Sequence, residues 1–207
     1  MTDRDMTALV SSRICHDLIS PIGAICNGVE LLGATGAPAS PEIDLIGESA
    51  INATAKLKYF RIAFGAAPDG ARIKTAEMQA AIDAMFQGRS AVALQTHLTD
   101  IPRVAAKALL LALMCQEKCL PLGGSGTVRL TGSGFEISTP ARKTRDNAGL
   151  WAIVADPTSE GEVAPGDVQF LLLGEVLQQT GAALTQEITA TDIRIYVKDL
   201  PLGLAAA

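Results

Sequence analysis

Three side chains near the start of the chain have the types and the spacing to do chemistry together. His16 is one of only two histidines, Asp17 follows it, and Ser20 lies about one helical turn further on, just before Pro21. A neutral imidazole is a nucleophile and a proton acceptor near neutral pH, and a carboxylate beside it stabilises the imidazolium that develops. A serine hydroxyl on the same helix face can donate a hydrogen bond to a reacting group. The trio predicts a nucleophilic site centred on His16.

The residues around this trio follow the spacing of an amphipathic helix. At about 100° per residue, an apolar stripe falls roughly 160° to 240° from His16; it consists of Leu18, Ile22, Ile25, Val29 and Leu32. Polar or small residues lie within about 60° of His16: Ser12, Arg13, Ser20, Gly23 and Asn27. We therefore predict that the stripe packs into a core and that the opposite face presents His16 to a partner.

The neighbours of His16 also have ordinary structural interpretations. Asp17 either orients the imidazole or is a solvated helix acid, because adjacent helix positions point about 100° apart. Arg13 either pairs with phosphate or an acidic partner, or is a solvated surface arginine. Ser20 either contacts the reacting group or is simply small enough to let a partner helix approach. Glycine within a helix lowers helix stability by about 1 kcal/mol relative to alanine. The close approach of a partner helix at Gly23 would offset that cost.

The composition is that of a globular protein without basic character. The 207 residues are 48% hydrophobic and 19% charged, with a net charge of −5, which argues against nucleic acid as a partner. The sequence shows no signal peptide and no uninterrupted apolar stretch of about 18 residues, so we expect a cytoplasmic protein with no membrane span. Reduced thiols are expected, with no metal site, at the four cysteines: Cys15, Cys26, Cys115 and Cys119.

Glycine and proline residues divide the chain into a helical hairpin and a second domain. The spacing predicts one helix over 4–33 and another from Pro41 to about Gly65, with Ser40 as its N-cap. A lone antiparallel hairpin cannot bury its apolar faces, so we expect two copies to form a four-helix bundle in a homodimer. The predicted domains are residues 1–67 and, after a linker, residues 71–207.

The second domain alternates helices and strands, which predicts an α/β sandwich with a mostly antiparallel sheet and helices on one face, and an α+β fold class overall. Thr75 is expected to cap the first helix of this domain, and His97 is expected to be structural. Helices are predicted at 75–86, 102–119 and 167–180. Strands are predicted at 72–74, 90–96, 127–130, 135–139, 184–189 and 192–198, with a further extended piece at 149–154.

A histidine on a two-helix hairpin, followed by an α/β sandwich, resembles the layout of two-component histidine kinases. Their H-box reads histidine, acid, two residues, a small polar residue and proline, as residues 16–21 do. Residues 121–124 match their Pro-x-Gly-Gly turn, but Leu111 and Cys115 stand where the kinases have asparagines for Mg²⁺ and phosphates. The adenine-binding Asp-x-Gly-x-Gly motif and the glycine-rich lid are absent. Because phosphate binding needs such glycines and oxygen ligands for Mg²⁺, we expect no ATP.

A kinase-like architecture without nucleotide motifs resembles the ChpT-type histidine phosphotransferases, most strongly over residues 13–32. The resemblance covers essentially the whole chain. It implies a dimeric hairpin joined to a degenerate histidine-kinase ATPase-like domain. It also implies an enzyme that carries a phosphoryl group from the receiver aspartate of a hybrid histidine kinase to His16, and then to the receiver aspartate of a response regulator. Mg²⁺ is expected to come from the partner receiver domain, with no cofactor held by this chain.

One basic run stands out in this acidic chain: Arg142, Lys143 and Arg145. It is predicted to dock an acidic receiver, against the alternative of a solvated loop. Three other functions stay open, namely an active kinase with diverged ATP motifs, a non-enzymatic dimeric adaptor, and a metal sensor using Cys15 and His16. The metal sensor is disfavoured because neighbouring helix residues point apart. The sequence does not decide which imidazole nitrogen reacts.

Overall fold

The computed structural model describes residues 6–35, 41–86, 90–159, 162–200 and 202. The chain begins with two long helices packed side by side, α1 (Met6–Thr35) and α2 (Pro41–Ala63). α1 continues through Pro21. The predicted turn and the Ser40 cap lie outside the described residues. Among the helices that the structure describes, none is long and apolar enough to cross a membrane.

An α/β part follows the hairpin. Its elements are β1 (Arg72–Lys74), α3 (Thr75–Met85), β2 (Val92–Gln95), β3 (Asp100–Pro102), α4 (Arg103–Lys118), β4 (Gly126–Thr131), β5 (Gly134–Pro140), α5 (Ala148–Ala155), α6 (Val168–Thr180), β6 (Ala183–Ile188) and β7 (Asp192–Lys198). A 3-10 turn, Pro165–Asp167, leads into α6, and Gly181 ends α6 with a φ of 71°. Only glycine adopts this left-handed conformation readily, which explains the residue type at this helix end.

Five strands form the main sheet in the order β2-β4-β5-β7-β6, and β1 pairs with β3 separately. β2 and β4 are parallel, whereas the other three pairings are antiparallel. Ile193, Ile195 and Val197 of β7 are buried and alternate with more exposed residues, so the sheet has one core face. That face shares its hydrophobic cluster with α4 and α6. The α+β class with a mostly antiparallel sheet is thus confirmed.

The C-terminal half of α2 belongs to the core of the α/β part. Four of its residues are buried in the same cluster as α4 and β5: Tyr59, Phe60, Ile62 and Ala63. The Tyr59 hydroxyl donates to the backbone oxygen of Leu110 in α4 at 2.7 Å, and its ring meets Phe86 edge-on. The hairpin is therefore joined to the second domain by packing as well as by the chain, while the domain limits 1–67 and 71–207 remain a prediction.

Two local predictions are wrong. Residues 149–154, predicted to be extended, lie in α5, where Trp151 and Val154 are three positions apart and are buried. Thr75 does not cap α3, because Lys74 occupies the N-cap position. The Thr75 hydroxyl instead donates to the backbone oxygen of Leu98 at 2.7 Å.

The apolar stripe of α1 is only partly buried within one chain, because Leu18, Ile25 and Leu32 are half-buried and the other two residues are exposed. Ile22 is 50% exposed and Val29 is 56% exposed. Among the α1 side chains that the structure describes, those of Pro21 and Gly28 are buried, and both positions lie beside the stripe on the helix surface. In the single chain, Ile22 and Val29 therefore face outward.

Candidate active site

His16 lies on an exposed face in the first half of α1. Its side chain is 82% exposed, whereas that of Asp17 is 13% exposed. The Nδ1 atom of His16 is 3.0 Å from Oδ1 of Asp17. Because a carboxylate can only accept a hydrogen bond, this pairing requires the proton on Nδ1, and in a neutral imidazole that arrangement leaves the lone pair on Nε2. The geometry presents Nε2 to solvent as a nucleophile.

Asp17 is held in place by residues of both hairpin helices. Arg13, one turn earlier in α1, donates from Nε to Oδ2 of Asp17 at 2.9 Å. Lys56 in α2 donates from Nζ to the backbone oxygen of Asp17, also at 2.9 Å. The carboxylate and its backbone are therefore both fixed, and Asp17 turns toward the imidazole rather than standing free in solvent.

Arg13 also reaches the α/β part. Its Nη1 atom donates to the backbone oxygen of Gly166 at 2.6 Å, in the 3-10 turn before α6. Its side chain is only 16% exposed. The predicted contact between Arg13 and a partner stays a prediction, and within the chain this arginine bonds to Asp17 and Gly166.

The other predicted residues of the His16 face are open to solvent. Ser20, Gly23 and Asn27 are all exposed. A Cβ atom added at Gly23 would meet nothing within 4 Å, so packing inside the chain does not require glycine there. Ser12 lies in α1, but its side chain is outside the described part, as is the side chain of Cys15. An open face with a glycine one to two turns after the histidine leaves space for another protein.

Glu117, at the end of α4, lies within electrostatic range of the site. Its carboxylate interacts with Arg13, Asp17 and Lys56. Desolvation by burial raises the pKa of Glu117, and the charge of Arg13 opposes that rise. Sequence reasoning missed Lys56, Glu117 and Gly166, because they are far from His16 along the chain and no local motif marks them.

The basic run lies at the same end of α4. Arg142, Lys143 and Arg145 are exposed. The backbone N–H of Arg145 donates to the oxygen of Cys119 at 2.9 Å, so this loop is anchored two residues after Glu117. The structure therefore places the predicted docking residues near the helix end that contributes to the His16 site.

The space between α4 and β5 is filled by protein side chains. Gln116 and Thr139 are buried there and hydrogen-bond to each other. A cavity lined by Gln116 and Thr139 has a volume of about 10 Å³, roughly the room that one water molecule needs. Among the residues that the structure describes, no three His, Cys, Asp or Glu side chains are grouped to hold a metal ion. Cys26, Cys115 and Cys119 are not disulfide-bonded.

An exposed imidazole on a helical hairpin, joined to an α/β sandwich, is the architecture of a histidine phosphotransfer protein. Residues 75–192 match the family described as histidine phosphotransferase C-terminal domain. The chain is 35% identical over 195 residues to the protein phosphotransferase ChpT of Brucella abortus (strain 2308), across 91% of this chain and 93% of that protein. The chain belongs to the ChpT-type histidine phosphotransferases.

Solved structures include similar chains. A bacterial phosphotransferase superposes with a TM-score of 0.82 at 33% identity, over 96% of this chain and 98% of that one. A histidine kinase domain of the Erythrobacter litoralis EL346 blue-light-activated histidine kinase gives a TM-score of 0.44 at 16% identity, over 96% and 94% of the two chains.

Proposed function

We propose that His16 is the phosphoryl-carrying residue of a phosphorelay. It accepts the group from the receiver aspartate of a hybrid histidine kinase and passes it to the receiver aspartate of a response regulator. The observation that carries this proposal is the pairing of an 82% exposed imidazole with Asp17 through Nδ1, which directs Nε2 outward. The family membership supports the reaction class, and the resemblance described above supports the choice of partners.

The chemistry follows from that tautomer. Nε2 of His16 attacks the phosphorus of an aspartyl phosphate, a P–N bond forms, and the P–O bond to the donor aspartate breaks, releasing its carboxylate. Nδ1 keeps its proton, so positive charge develops on the ring beside Asp17, which stabilises it. In the second step the acceptor aspartate attacks the phosphorus, the P–N bond breaks, and the neutral imidazole returns. Mg²⁺ to neutralise the transferring group would be supplied by the receiver domain.

We further propose that the chain works as a homodimer built on a four-helix bundle. Five exposed apolar residues repeat with seven-residue spacing within α1 and within α2, and we propose that they make up one apolar face of the hairpin: Ile22, Val29, Ile43, Ala50 and Leu57. Residues seven apart point in nearly the same direction, within about 20°. Two hairpins that meet through this apolar face would remove it from water and complete the bundle.

Two features of the α/β part support the remaining proposals. Transfer without ATP is proposed because Leu111 and Cys115 stand where kinases have asparagines, and because the adenine-binding motif and the glycine-rich lid are absent from the sequence. The exposed basic run at 142–145, anchored at the end of α4, is suited to a second contact with an acidic receiver. Reversing its charges should slow transfer to the regulator while His16 still accepts phosphate, and unchanged transfer would remove this contact. We also propose a cytoplasmic location, where thiols such as the buried Cys115 and Cys119 stay reduced.

The test is a phosphotransfer assay with a radiolabelled, pre-phosphorylated receiver domain and a separate reaction containing only ATP and Mg²⁺. Wild-type protein should take label from the receiver but not from ATP, and His16→Ala should take none. His97→Ala is the matched control, because His97 is the other histidine of the chain. Label from ATP would make the protein a kinase, and receiver-derived label retained by His16→Ala would exclude His16.

A further inference from the structure

We infer that Arg13 is a positioning residue through which the α/β domain sets the orientation of the His16 imidazole. The inference rests on the proposed function of His16. Three hydrogen bonds connect Gly166 in the α/β domain to His16 in α1. Gly166 accepts from Arg13 at 2.6 Å, Asp17 accepts from Arg13 at 2.9 Å, and Asp17 pairs with His16 at 3.0 Å. One guanidinium thus joins the second domain to the carboxylate that orients the nucleophile.

The geometry of this connection needs arginine. Arg13 uses two different nitrogens, Nε toward Asp17 and Nη1 toward Gly166, and a planar guanidinium holds these donors in fixed directions. A lysine has one nitrogen on a flexible stem and cannot reproduce that geometry. Asp17 uses one oxygen for Arg13 and the other for His16, so a rotation of its carboxylate disturbs both bonds at once.

The far end of the connection is itself fixed within the α/β part. Gly166 also accepts a hydrogen bond from the side chain of Gln169, at 3.2 Å, and Gln169 is buried in α6. The next residue, Asp167, forms an ion pair with Lys118 of α4 at 2.7 Å. The turn is therefore tied to α4 and α6. A displacement of this turn, for example when a receiver docks on the α/β domain, would reach His16 through Arg13.

The experiment reads the imidazole directly by ¹⁵N NMR of histidine side chains. With two histidines in the chain, a spectrum of His97→Gln assigns both. Wild-type His16 should show the Nδ1–H tautomer. In Arg13→Gln and Arg13→Lys that preference should weaken, and the rate of phosphoryl uptake from a receiver should fall by about two- to fivefold, because Arg13 acts through Asp17, whose loss is worth about fivefold. Arg72→Gln is the matched control, because it removes an arginine from the exposed Arg72–Asp100 pair instead.

A second variant tests the domain end of the connection. Asp167→Asn weakens the ion pair to Lys118 without touching the hairpin, and it should shift the His16 tautomer in the same direction as Arg13→Gln. Circular dichroism establishes that each variant is folded. The inference would be overturned if the His16 tautomer is unchanged in Arg13→Gln or in Asp167→Asn. It would also be overturned if Arg13→Lys keeps both the wild-type tautomer preference and the wild-type rate of phosphoryl uptake. Failure of wild-type protein to accept phosphate would overturn the proposed function instead, since the tautomer is measured without any transfer.

Discussion

Leu57→Ala is expected to weaken self-association of the chain by about 30-fold, from about 2 kcal/mol of lost burial. Leu57 belongs to the exposed apolar face of the hairpin and is 52% exposed in the single chain. Complete burial of a leucine side chain contributes about 1.5–3 kcal/mol, so burying the remaining half at an interface contributes about 1 kcal/mol per copy. A two-fold dimer counts each substitution twice, which gives the total of about 2 kcal/mol.

The assay is sedimentation equilibrium over a dilution series that spans the dissociation constant of the wild-type dimer. Leu122→Ala is a close control, because Leu122 is also 52% exposed but lies in the turn after α4. Only the Leu57 variant should have a higher dissociation constant than the wild-type dimer. If both variants associate as wild-type protein does, or if both weaken equally, the apolar face of the hairpin is not the dimer interface.

Three further predictions concern single side chains. Asp17→Asn should slow phosphoryl uptake by about fivefold or more, because the imidazole loses a charged hydrogen-bond partner worth roughly 1 kcal/mol at this exposed position; quenched-flow rates equal to wild type would refute the assigned role. Tyr59→Phe removes the hydrogen bond to Leu110 and should lower the free energy of unfolding by about 1 kcal/mol. Thermal circular dichroism should then show a Tm lower by about 3 °C, and an unchanged Tm would mean that the hydrogen bond contributes nothing to stability. Burial raises the pKa of Glu117 in the folded protein above its ordinary value. Protonated Glu117 therefore contributes fully to stability below its pKa in the unfolded chain, and this contribution is lost as pH rises through its pKa in the folded protein. Relative to Glu117→Gln, wild-type protein should therefore lose stability in urea titrations from about pH 4 toward neutrality, and parallel curves would contradict this.

The elements that follow local rules could be predicted from the sequence, and the exceptions depend on tertiary contacts. The hairpin strands β4 and β5 flank a Gly-Ser-Gly turn, and α2 begins at Pro41, so short-range signals were sufficient there. α5 is a short apolar segment whose β-branched and aromatic residues favour a strand, but its packing on α6 makes it helical. β3 pairs with β1, which lies about 28 residues earlier, and no local pattern reports that pairing.

The same distinction applies to the site. The histidine, its acid and the open face around them lie within a few turns of one helix, so their spacing was informative. Lys56 and Gly166 approach Asp17 and Arg13 only because the chain folds back twice. The apolar stripe of α1 shows that hydrophobic periodicity alone does not predict what a helix face packs against. Hydrophobic spacing identifies a face that avoids water, but it does not say whether the same chain or a second copy covers that face.

Under the proposed function, we expect the α/β domain to contribute to phosphotransfer through its contacts with the His16 site. α4 brings Glu117 toward the charges around His16, and the turn before α6 supplies the backbone oxygen that fixes Arg13. The hydrogen bond from Tyr59 to Leu110 holds α2 against α4, so Glu117 and Gly166 stay in a fixed position relative to α1. A hairpin alone would keep the histidine and its carboxylate but would lose the second hydrogen bond of Arg13. We therefore expect the isolated hairpin to be a slower phosphoacceptor than the full chain even where it folds and dimerises.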